Sequence, residues 1–125
     1  MSMESRGPAA LKTGAEHFNS QEYFEAHEEW EKAWHGTEGE ENRFLKGLIQ
    51  VAVSLYHLER GNLSGARKVM TTALEYLKGF PSLRNGVDLE RLRSQVLPLH
   101  REMEEGRDPY PMMQASPPRI ELRWD

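Results

Sequence analysis

Cysteine is absent from this sequence of 125 residues. Its absence excludes disulfides, thiolate metal ligands and cysteine nucleophiles, and it is typical of proteins from reducing compartments. The sequence also lacks a run of about 18 apolar residues, so it predicts no membrane-spanning helix. The N-terminal residues have no apolar stretch of the kind that signal peptides carry. We therefore expect a cytoplasmic protein with no membrane partner.

Basic residues are too few and too scattered for a nucleic-acid interface. The chain has 16 lysines and arginines against 20 acidic residues, which gives a formal net charge of −4. Binding to phosphate backbones needs a concentrated basic face, so we expect no nucleic-acid partner. The alternating pattern of β-strands is also nearly absent. A chain of this length is expected to form one domain around a single core.

Helix signals recur along the chain and predict an all-α fold, a compact helical bundle of four to five helices. The predicted helices cover residues 8–18, 20–35, 42–60, 63–78 and 88–105. Asn19 and Glu22 have the spacing of a capping box at the start of the second helix. Gly61 and Asn62 predict a tight junction between the third and fourth helices. Pro98 is expected to kink or split the fifth helix.

Prolines are concentrated after Gly106, which predicts an extended tail. Near its end Ile120, Leu122 and Trp124 alternate with charged residues, so one side of the tail is expected to pack on the bundle. The sequence thus predicts a single helical-bundle domain over residues 1–106 and an extended Pro-rich tail over residues 107–125.

The second predicted helix carries the most informative pattern, H-x-x-x-E-x-x-W, formed by His27, Glu31 and Trp34. Residues three and four apart share one face of a helix. These three side chains therefore form a stripe, with Tyr23 and Trp30 on its flank. An imidazole, a carboxylate and aromatic rings on one face fit either the floor of a site or a hydrogen-bonded patch of core.

The third predicted helix is apolar around most of its circumference, which is typical of a buried helix or an oligomer interface. It keeps one narrow polar stripe, which includes Gln50, Ser54 and His57. A buried amide or hydroxyl without a partner costs about 1–3 kcal/mol, so the stripe needs partners on a neighbouring helix. We predict a polar cluster between helices two and three that consists of His27, Glu31, Gln50, Ser54 and His57, walled by Tyr23, Trp30 and Trp34.

Four interpretations of this cluster remain open. His27, Glu31 and His57 form a two-histidine, one-carboxylate set suited to iron, zinc or manganese, although the E-x-x-H pairs of di-iron bundles are missing. In a catalytic site Glu31 would orient His27 as a general base toward water or Ser54. In a binding site a small polar ligand would lie among Tyr23, Trp30, Trp34, Gln50, Ser54 and His57. In the fourth interpretation the groups only satisfy one another and fix how two helices pack.

Two segments of the chain resemble the domain of unknown function family 309: FNSQEYFEAHEEWEKAW, residues 18–34, and RFLKGLIQVAVSLYHLERGNLSGA, residues 43–66. The resemblance covers about residues 11–99. It implies a compact all-α bundle, and it singles out the H-x-x-x-E-x-x-W motif together with Gln50 and His57. It implies no activity, cofactor or substrate.

An internal similarity suggests a different function. The segments EYFEAHEEWEKAW and NLSGARKVMTTAL align at a spacing of 40 residues and pair Ala26 with Ala66 and Ala33 with Ala73. Small residues seven apart on paired helices are typical of tetratricopeptide-type repeats, which are protein-binding scaffolds. The alternative function is therefore a protein-interaction scaffold in which the polar cluster is purely structural. A scaffold would expose its aromatic stripe, whereas a site would bury it around His27.

The apolar third helix also bears on assembly. Further methionines elsewhere in this small acidic chain, Met70, Met103, Met112 and Met113, indicate apolar surface that needs cover. We therefore expect a homo-oligomer, and a dimer is its commonest form.

Overall fold

A computed structural model describes the backbone of residues 3–122 and the side chains of residues 9–122. Within that range the chain forms six helices and one two-stranded hairpin. In chain order they are α1 (Met3–Asn19), α2 (Tyr23–Trp34), α3 (Gly39–Glu59), α4 (Leu63–Leu77), β1 (Leu83–Arg84), β2 (Val87–Asp88), α5 (Leu89–Glu104) and α6 (Tyr110–Ala115). The predicted all-α fold is confirmed. None of the helices described is both long enough and apolar enough to cross a membrane.

The central helix is α3, which packs against α2 on one side and α4 on the other. α1 covers α2, and α5 lies against α4. The side chains of Leu48 and Leu55 on α3 are completely buried. The apolar surface of α3 is therefore largely covered by neighbouring helices of the same chain. Burial of this surface stabilises the fold.

The helical hairpins α1–α2 and α3–α4 repeat one another at a spacing of 40 residues. At the first turn the Glu22 N–H donates to the His17 carbonyl at 2.9 Å, and at the second turn the Asn62 N–H donates to the His57 carbonyl at 2.9 Å. The side chains follow the same pattern, since His17 Nδ1 lies 2.7 Å from Glu22 Oε1 and His57 Nδ1 lies 3.3 Å from Asn62 Nδ2. The similarity seen in the sequence therefore extends to the hydrogen bonds of both turns.

The two turns also share a left-handed residue two positions after the last residue of the first helix. Gln21 has a φ of 59° and Gly61 has a φ of 78°, and this conformation is typical of the residue that ends a helix. The four alanines that the alignment pairs are all buried: Ala26, Ala33, Ala66 and Ala73. Small side chains at these positions let the paired helices approach closely.

The start of α2 differs from the prediction. Asn19 is the last residue of α1 rather than the N-cap of α2, and α2 begins at Tyr23 after Glu22, which makes no side-chain capping bond. The Asn19 amide instead binds the backbone of Ile120, donating to its carbonyl at 2.9 Å and accepting from its N–H at 2.8 Å. The predicted capping box was wrong because a distant segment takes the side chain that would form it.

The other helix boundaries follow the sequence signals more closely. Asn62 caps α4 by accepting from the Gly65 N–H at 2.9 Å, as expected. α5 runs through Pro98 without being split. Pro98 and Ser94, four residues earlier, both lie on the exposed side of α5. The carbonyl that loses its intrahelical donor at a proline therefore has access to water, which lowers the cost of that loss.

A β-hairpin between α4 and α5 was not predicted. Leu83 pairs with Asp88 and Arg84 pairs with Val87 in antiparallel register. The two loop residues, Asn85 and Gly86, both have positive φ values, 51° and 82°. An Asn-Gly pair is the strongest short-range signal for such a turn, so the sequence did contain the information.

The tail after Gly106 is not extended throughout, because residues 110–115 form the helix α6. Pro111 lies in its first turn, where a missing N–H has no consequence. The tail packs on the bundle through buried side chains at Met113 and Ile120. Leu122 forms an isolated antiparallel bridge with Val87 of β2. The contact predicted for Trp124 lies outside the described residues.

Candidate functional site

Two aromatic contacts fix the alignment of α2 on α3. The rings of Phe24 and Tyr56 have centroids 5.3 Å apart, and Lys46 Nζ lies 4.8 Å from the ring centroid of Trp34. The first contact joins the start of α2 to the end of α3, and the second joins the end of α2 to the first half of α3. The two helices are therefore antiparallel, with an aromatic contact at each end of their shared surface.

Polar side chains lie between these two contacts. Interpolation between these contacts puts His27 near the level of Val53 and Glu31 near the level of Gln50 on α3. All four residues are half-buried. Gln50 and Val53 share a face with Lys46, being four and seven residues further along α3. We name this surface the α2–α3 strip; it consists of Phe24, His27, Glu31, Trp34, Lys46, Gln50, Val53 and Tyr56.

His27 has a defined orientation and tautomer. Its Nδ1 donates to the carbonyl of Phe24 at 2.5 Å, and its ring meets the Phe24 ring edge to face at 4.8 Å. A carbonyl oxygen only accepts hydrogen bonds, so Nδ1 carries a proton and the neutral ring keeps a lone pair on Nε2. The Phe24 carbonyl therefore orients His27, whereas the sequence predicted that Glu31 would do so.

Three polar groups of the strip have no hydrogen-bond partner among residues 9–122. Among the residues whose side chains are described, Glu31 and Gln50 make no side-chain hydrogen bond. The indole Nε1 of Trp34 is buried and has no acceptor within the same part of the chain. An unpaired buried donor costs about 1–3 kcal/mol. The carboxylate and the amide are thus available to water or to a ligand, while the indole N–H is a buried donor beside them.

Ser54 belongs to a different contact from the one predicted. It is fully buried, and its hydroxyl donates to the Ala66 carbonyl of α4 at 2.7 Å. Gly47 on the same stripe touches α4 as well, since a Cβ there would lie 2.5 Å from Leu77 Cδ2. This part of the polar stripe of α3 therefore packs against α4, and Ser54 is unavailable as a nucleophile.

His57 also takes its partner at the junction of α3 and α4. Its Nδ1 accepts from Asn62 Nδ2 at 3.3 Å, while Asn62 Oδ1 accepts from the Gly65 N–H. Across residues 9–122, no group of three or more histidine, aspartate and glutamate side chains could hold a metal ion. The predicted set of His27, Glu31 and His57 is therefore not assembled, and no hydrogen bond joins any two members of the predicted polar cluster in that range.

Tyr23 and Trp30 lie in the core rather than in the wall of a site. Trp30 is fully buried, and its Nε1 donates to the Leu11 carbonyl of α1 at 3.1 Å. Tyr23 packs edge to face on Phe18 with ring centroids 5.3 Å apart. Burial, assisted by the nearby Glu59 carboxylate, holds the pKa of Tyr23 far above its usual range. Both side chains therefore hold α2 in the core rather than lining a site.

Sequence reasoning missed four members of the α2–α3 strip: Phe24, Lys46, Val53 and Tyr56. Phe24 is 42% exposed and Tyr56 is half-buried. The usable signal was that Lys46 shares a face with Gln50, and that Phe24 precedes His27 by three residues. Aromatic side chains were expected in the core, so the sequence analysis did not select an exposed phenylalanine next to His27 as a site residue.

A shallow depression elsewhere on the surface contains none of the predicted site residues. It lies on α4 and the start of α3, and its lining residues are Arg43, Thr71, Thr72, Glu75 and Tyr76. Arg43 donates to the carbonyls of Glu75 and Lys78 and so ties α3 to the end of α4. We assign this depression to the packing of two helix ends.

Comparison with known proteins finds a family match over the part of the chain that contains the α2–α3 strip. Residues 11–69 match a family described as a domain of unknown function, DUF309. The chain is 37% identical over 60 residues to the uncharacterized protein YpuF of Bacillus subtilis (strain 168), which covers 47% of this chain and 34% of YpuF. It is 28% identical over 93 residues to an uncharacterized protein of Aquifex aeolicus (strain VF5), which covers 74% of this chain and 28% of that protein.

The chain therefore matches about a third of the length of these curated relatives. Every residue of the α2–α3 strip, from Phe24 to Tyr56, falls within the part that matches the family. The resemblance drawn from the sequence is confirmed over residues 11–69, the part of this chain that matches DUF309.

Proposed function

We propose that the protein binds a small polar molecule in the α2–α3 strip. The observation that supports this function is the set of unpartnered polar groups between the two aromatic contacts: the Glu31 carboxylate, the Gln50 amide and the Trp34 indole N–H. A core network would pair these groups with one another. A few convergent polar groups beside aromatic side chains are typical of small-molecule sites.

The polar groups favour a ligand that presents hydrogen-bond donors. The Glu31 carboxylate and the bare Nε2 of neutral His27 both accept hydrogen bonds. An ammonium or a hydroxyl group would satisfy both acceptors, and the ammonium would also gain a charge-assisted bond with Glu31. The half-buried Gln50 amide would donate to a second, acceptor end of the same molecule. The class that fits best is therefore a small amine or polyol.

A reaction in the strip would rest on His27. Its Nε2 has the lone pair that a general base needs, and Glu31 would remain as an acceptor for the substrate. Ser54 is excluded as a nucleophile by its bond to Ala66. We therefore propose ligand binding as the function. If the site is also catalytic, His27 is the group that would abstract a proton from the bound molecule.

A thermal-shift screen against small amines, polyols, carboxylates and divalent metals tests the proposal. A ligand that binds only the folded state at about 100 times its dissociation constant stabilises the fold by about 2.7 kcal/mol. We expect amines or polyols to raise the melting temperature of the wild type. Glu31→Gln should remove that rise, because a neutral amide lacks the charge of a carboxylate acceptor.

Glu28→Gln is the matched control, since Glu28 lies on the same helix and is exposed outside the strip. It should keep the full thermal shift. A ligand that stabilises the wild type, Glu31→Gln and Glu28→Gln equally would place binding elsewhere. A shift produced only by zinc, manganese or iron, and lost in Glu31→Gln, would instead assign the strip to a metal held by His27 and Glu31.

An interaction scaffold is the second candidate function, and one observation favours it. Phe24 is 42% exposed and packs against Tyr56 with the two rings tilted by 48°, and the Arg60 guanidinium lies 5.5 Å from the Tyr56 ring. An exposed aromatic residue beside an arginine is typical of binding hot spots. The repeated helical hairpins agree with the scaffold interpretation by analogy of fold.

A further inference from the structure

The end of the tail is held by two side-chain amides that bind its backbone. Asn19 at the end of α1 donates to the Ile120 carbonyl at 2.9 Å and accepts from the Ile120 N–H at 2.8 Å. Gln95 on α5 donates to the Arg119 carbonyl at 2.9 Å and accepts from the Arg119 N–H at 2.9 Å. Each amide therefore supplies the donor and acceptor that a neighbouring β-strand would supply.

The groove that holds the tail recognises an extended backbone and one aliphatic side chain. Ile120 is 3% exposed and belongs to the core. Beyond it, the Asp88 N–H donates to the Glu121 carbonyl at 3.4 Å, and Leu122 forms a bridge with Val87. This is the chemistry of an added strand, in which main-chain bonds give affinity and a pocket gives specificity.

We propose that this groove also accepts residues 117–122 of a second copy of the chain, so that two copies exchange their tails and form a dimer. The same segment from another copy makes every one of these contacts without any new complementarity. Exchange of an identical element is a low-cost route to a symmetric dimer. The connection between α5 and α6 must open, so α6, with its buried Met113, exchanges together with residues 117–122 and regains the same contacts on the other copy.

That connection turns at Gly106. Gly106 has a φ of +80°, its N–H donates to the Met103 carbonyl at 3.0 Å, and the Arg107 N–H donates to the Glu102 carbonyl at 2.9 Å. This pair of bonds is the usual way in which a glycine closes the end of a helix. A Cβ at Gly106 would meet no atom within 4 Å. An alanine there would therefore destabilise the turn only because its backbone disfavours a positive φ, and not because of a steric clash.

Gly106→Ala should therefore raise the dimer fraction, because it disfavours the closed turn but not an open connection. We expect an increase of about a hundredfold in the dimerisation constant, because each of the two copies opens one turn and each turn contributes about tenfold. Size-exclusion chromatography with light scattering measures this constant on the full chain. Gly36→Ala is the matched control, since Gly36 has a φ of +85° and equally open space but lies between α2 and α3. Circular dichroism verifies that both variants are folded.

A disulfide trap identifies the exchanged segment, since the chain has no cysteine of its own. Mixing Val87→Cys with Leu122→Cys should give a disulfide-linked heterodimer, because paired antiparallel residues lie at a distance that a disulfide spans. Leu83→Cys mixed with Leu122→Cys is the control for random collision, because Leu83 is 49% exposed while Val87 is completely buried.

A heterodimer yield from Val87→Cys above that control supports tail exchange. A yield at or below the control overturns it. Equal dimer fractions for Gly106→Ala and Gly36→Ala also overturn the proposal, and that measurement does not depend on the buried cysteine being tolerated.

Discussion

Glu59 is a residue whose charge opposes folding. It is the last residue of α3, where the negative end of the helix dipole disfavours a carboxylate. Partial burial raises the pKa of Glu59, and the Glu25 carboxylate on α2 raises it further. Two acidic side chains thus meet where α2 begins and α3 ends, beside the buried phenol of Tyr23.

The raised pKa of Glu59 predicts a pH-dependent effect of Glu59→Gln. The folded state keeps the Glu59 proton over a pH range in which the unfolded chain has lost it, so stability falls as pH rises through that range. Above the folded pKa the penalty is complete. Glu59→Gln should therefore have a higher melting temperature than the wild type at pH 7, and the difference should shrink below about pH 4, the pKa of an unfolded glutamate.

Melting curves of Glu59→Gln at both pH values check this prediction, with Glu28→Gln as an exposed control on α2. A difference from the wild type that is the same at pH 7 and pH 4 would show that the charge of Glu59 has no part in it.

Single residues also show where sequence reasoning about the site stopped. Gln50 and Ser54 lie four apart on one polar stripe of α3, and the sequence could not tell which neighbouring helix each one faces. Ser54 packs against α4 through its bond to Ala66, whereas Gln50 is half-buried and has no partner in the part of the chain whose side chains are described. A helical stripe that lies between two neighbours has contacts with both, so periodicity alone cannot divide it.

At the scale of elements, the turns of the two repeated hairpins have different residues at their left-handed position. Gln21 adopts the left-handed conformation that Gly61 adopts 40 residues later. For a residue with a Cβ this conformation costs about 1–2 kcal/mol, and glycine avoids that cost.

Gln21→Gly should therefore raise the free energy of unfolding by about 1 kcal/mol, because glycine's larger unfolded-state entropy removes part of the gain. The reciprocal Gly61→Gln should lower it by a similar amount, since a Cβ at Gly61 would meet no atom within 4 Å. Urea denaturation measures both. A loss of stability in Gln21→Gly would mean that the side-chain bond from Gln21 to the Asn19 carbonyl outweighs the backbone term.

Element boundaries were predictable where the signal and its partner are close in sequence. Asn62 caps α4 three residues from Gly65, and this cap could be predicted from the sequence. Asn19 has the same residue type at a helix junction, yet it binds Ile120, which is 101 residues away. The local sequence predicts an N-cap equally well at Asn19 and at Asn62. Only the tertiary contact of Asn19 distinguishes the two positions.

At the scale of the whole molecule, the sequence predicted the all-α fold and the central position of α3 because an apolar helix needs neighbours on all sides. The path of the tail could not be predicted from the sequence, because it depends on simultaneous contacts with α1, α5 and β2. The homo-oligomer stays a prediction. It was inferred from the apolar surface of α3, and that reason is weaker because α2 and α4 cover much of this surface within one chain. Tail exchange is a different route to a dimer.

The position of the ligand in the α2–α3 strip is the central claim, and the indole resonances of the tryptophans test it most directly. Trp34 lies in the strip with an unpartnered Nε1, whereas Trp30 donates to Leu11 in the core. In ¹H–¹⁵N spectra assigned with Trp34→Phe, the ligand that raises the melting temperature should shift the Trp34 indole signal and leave that of Trp30 in place. A ligand that stabilises the protein without moving the Trp34 signal would contradict the account.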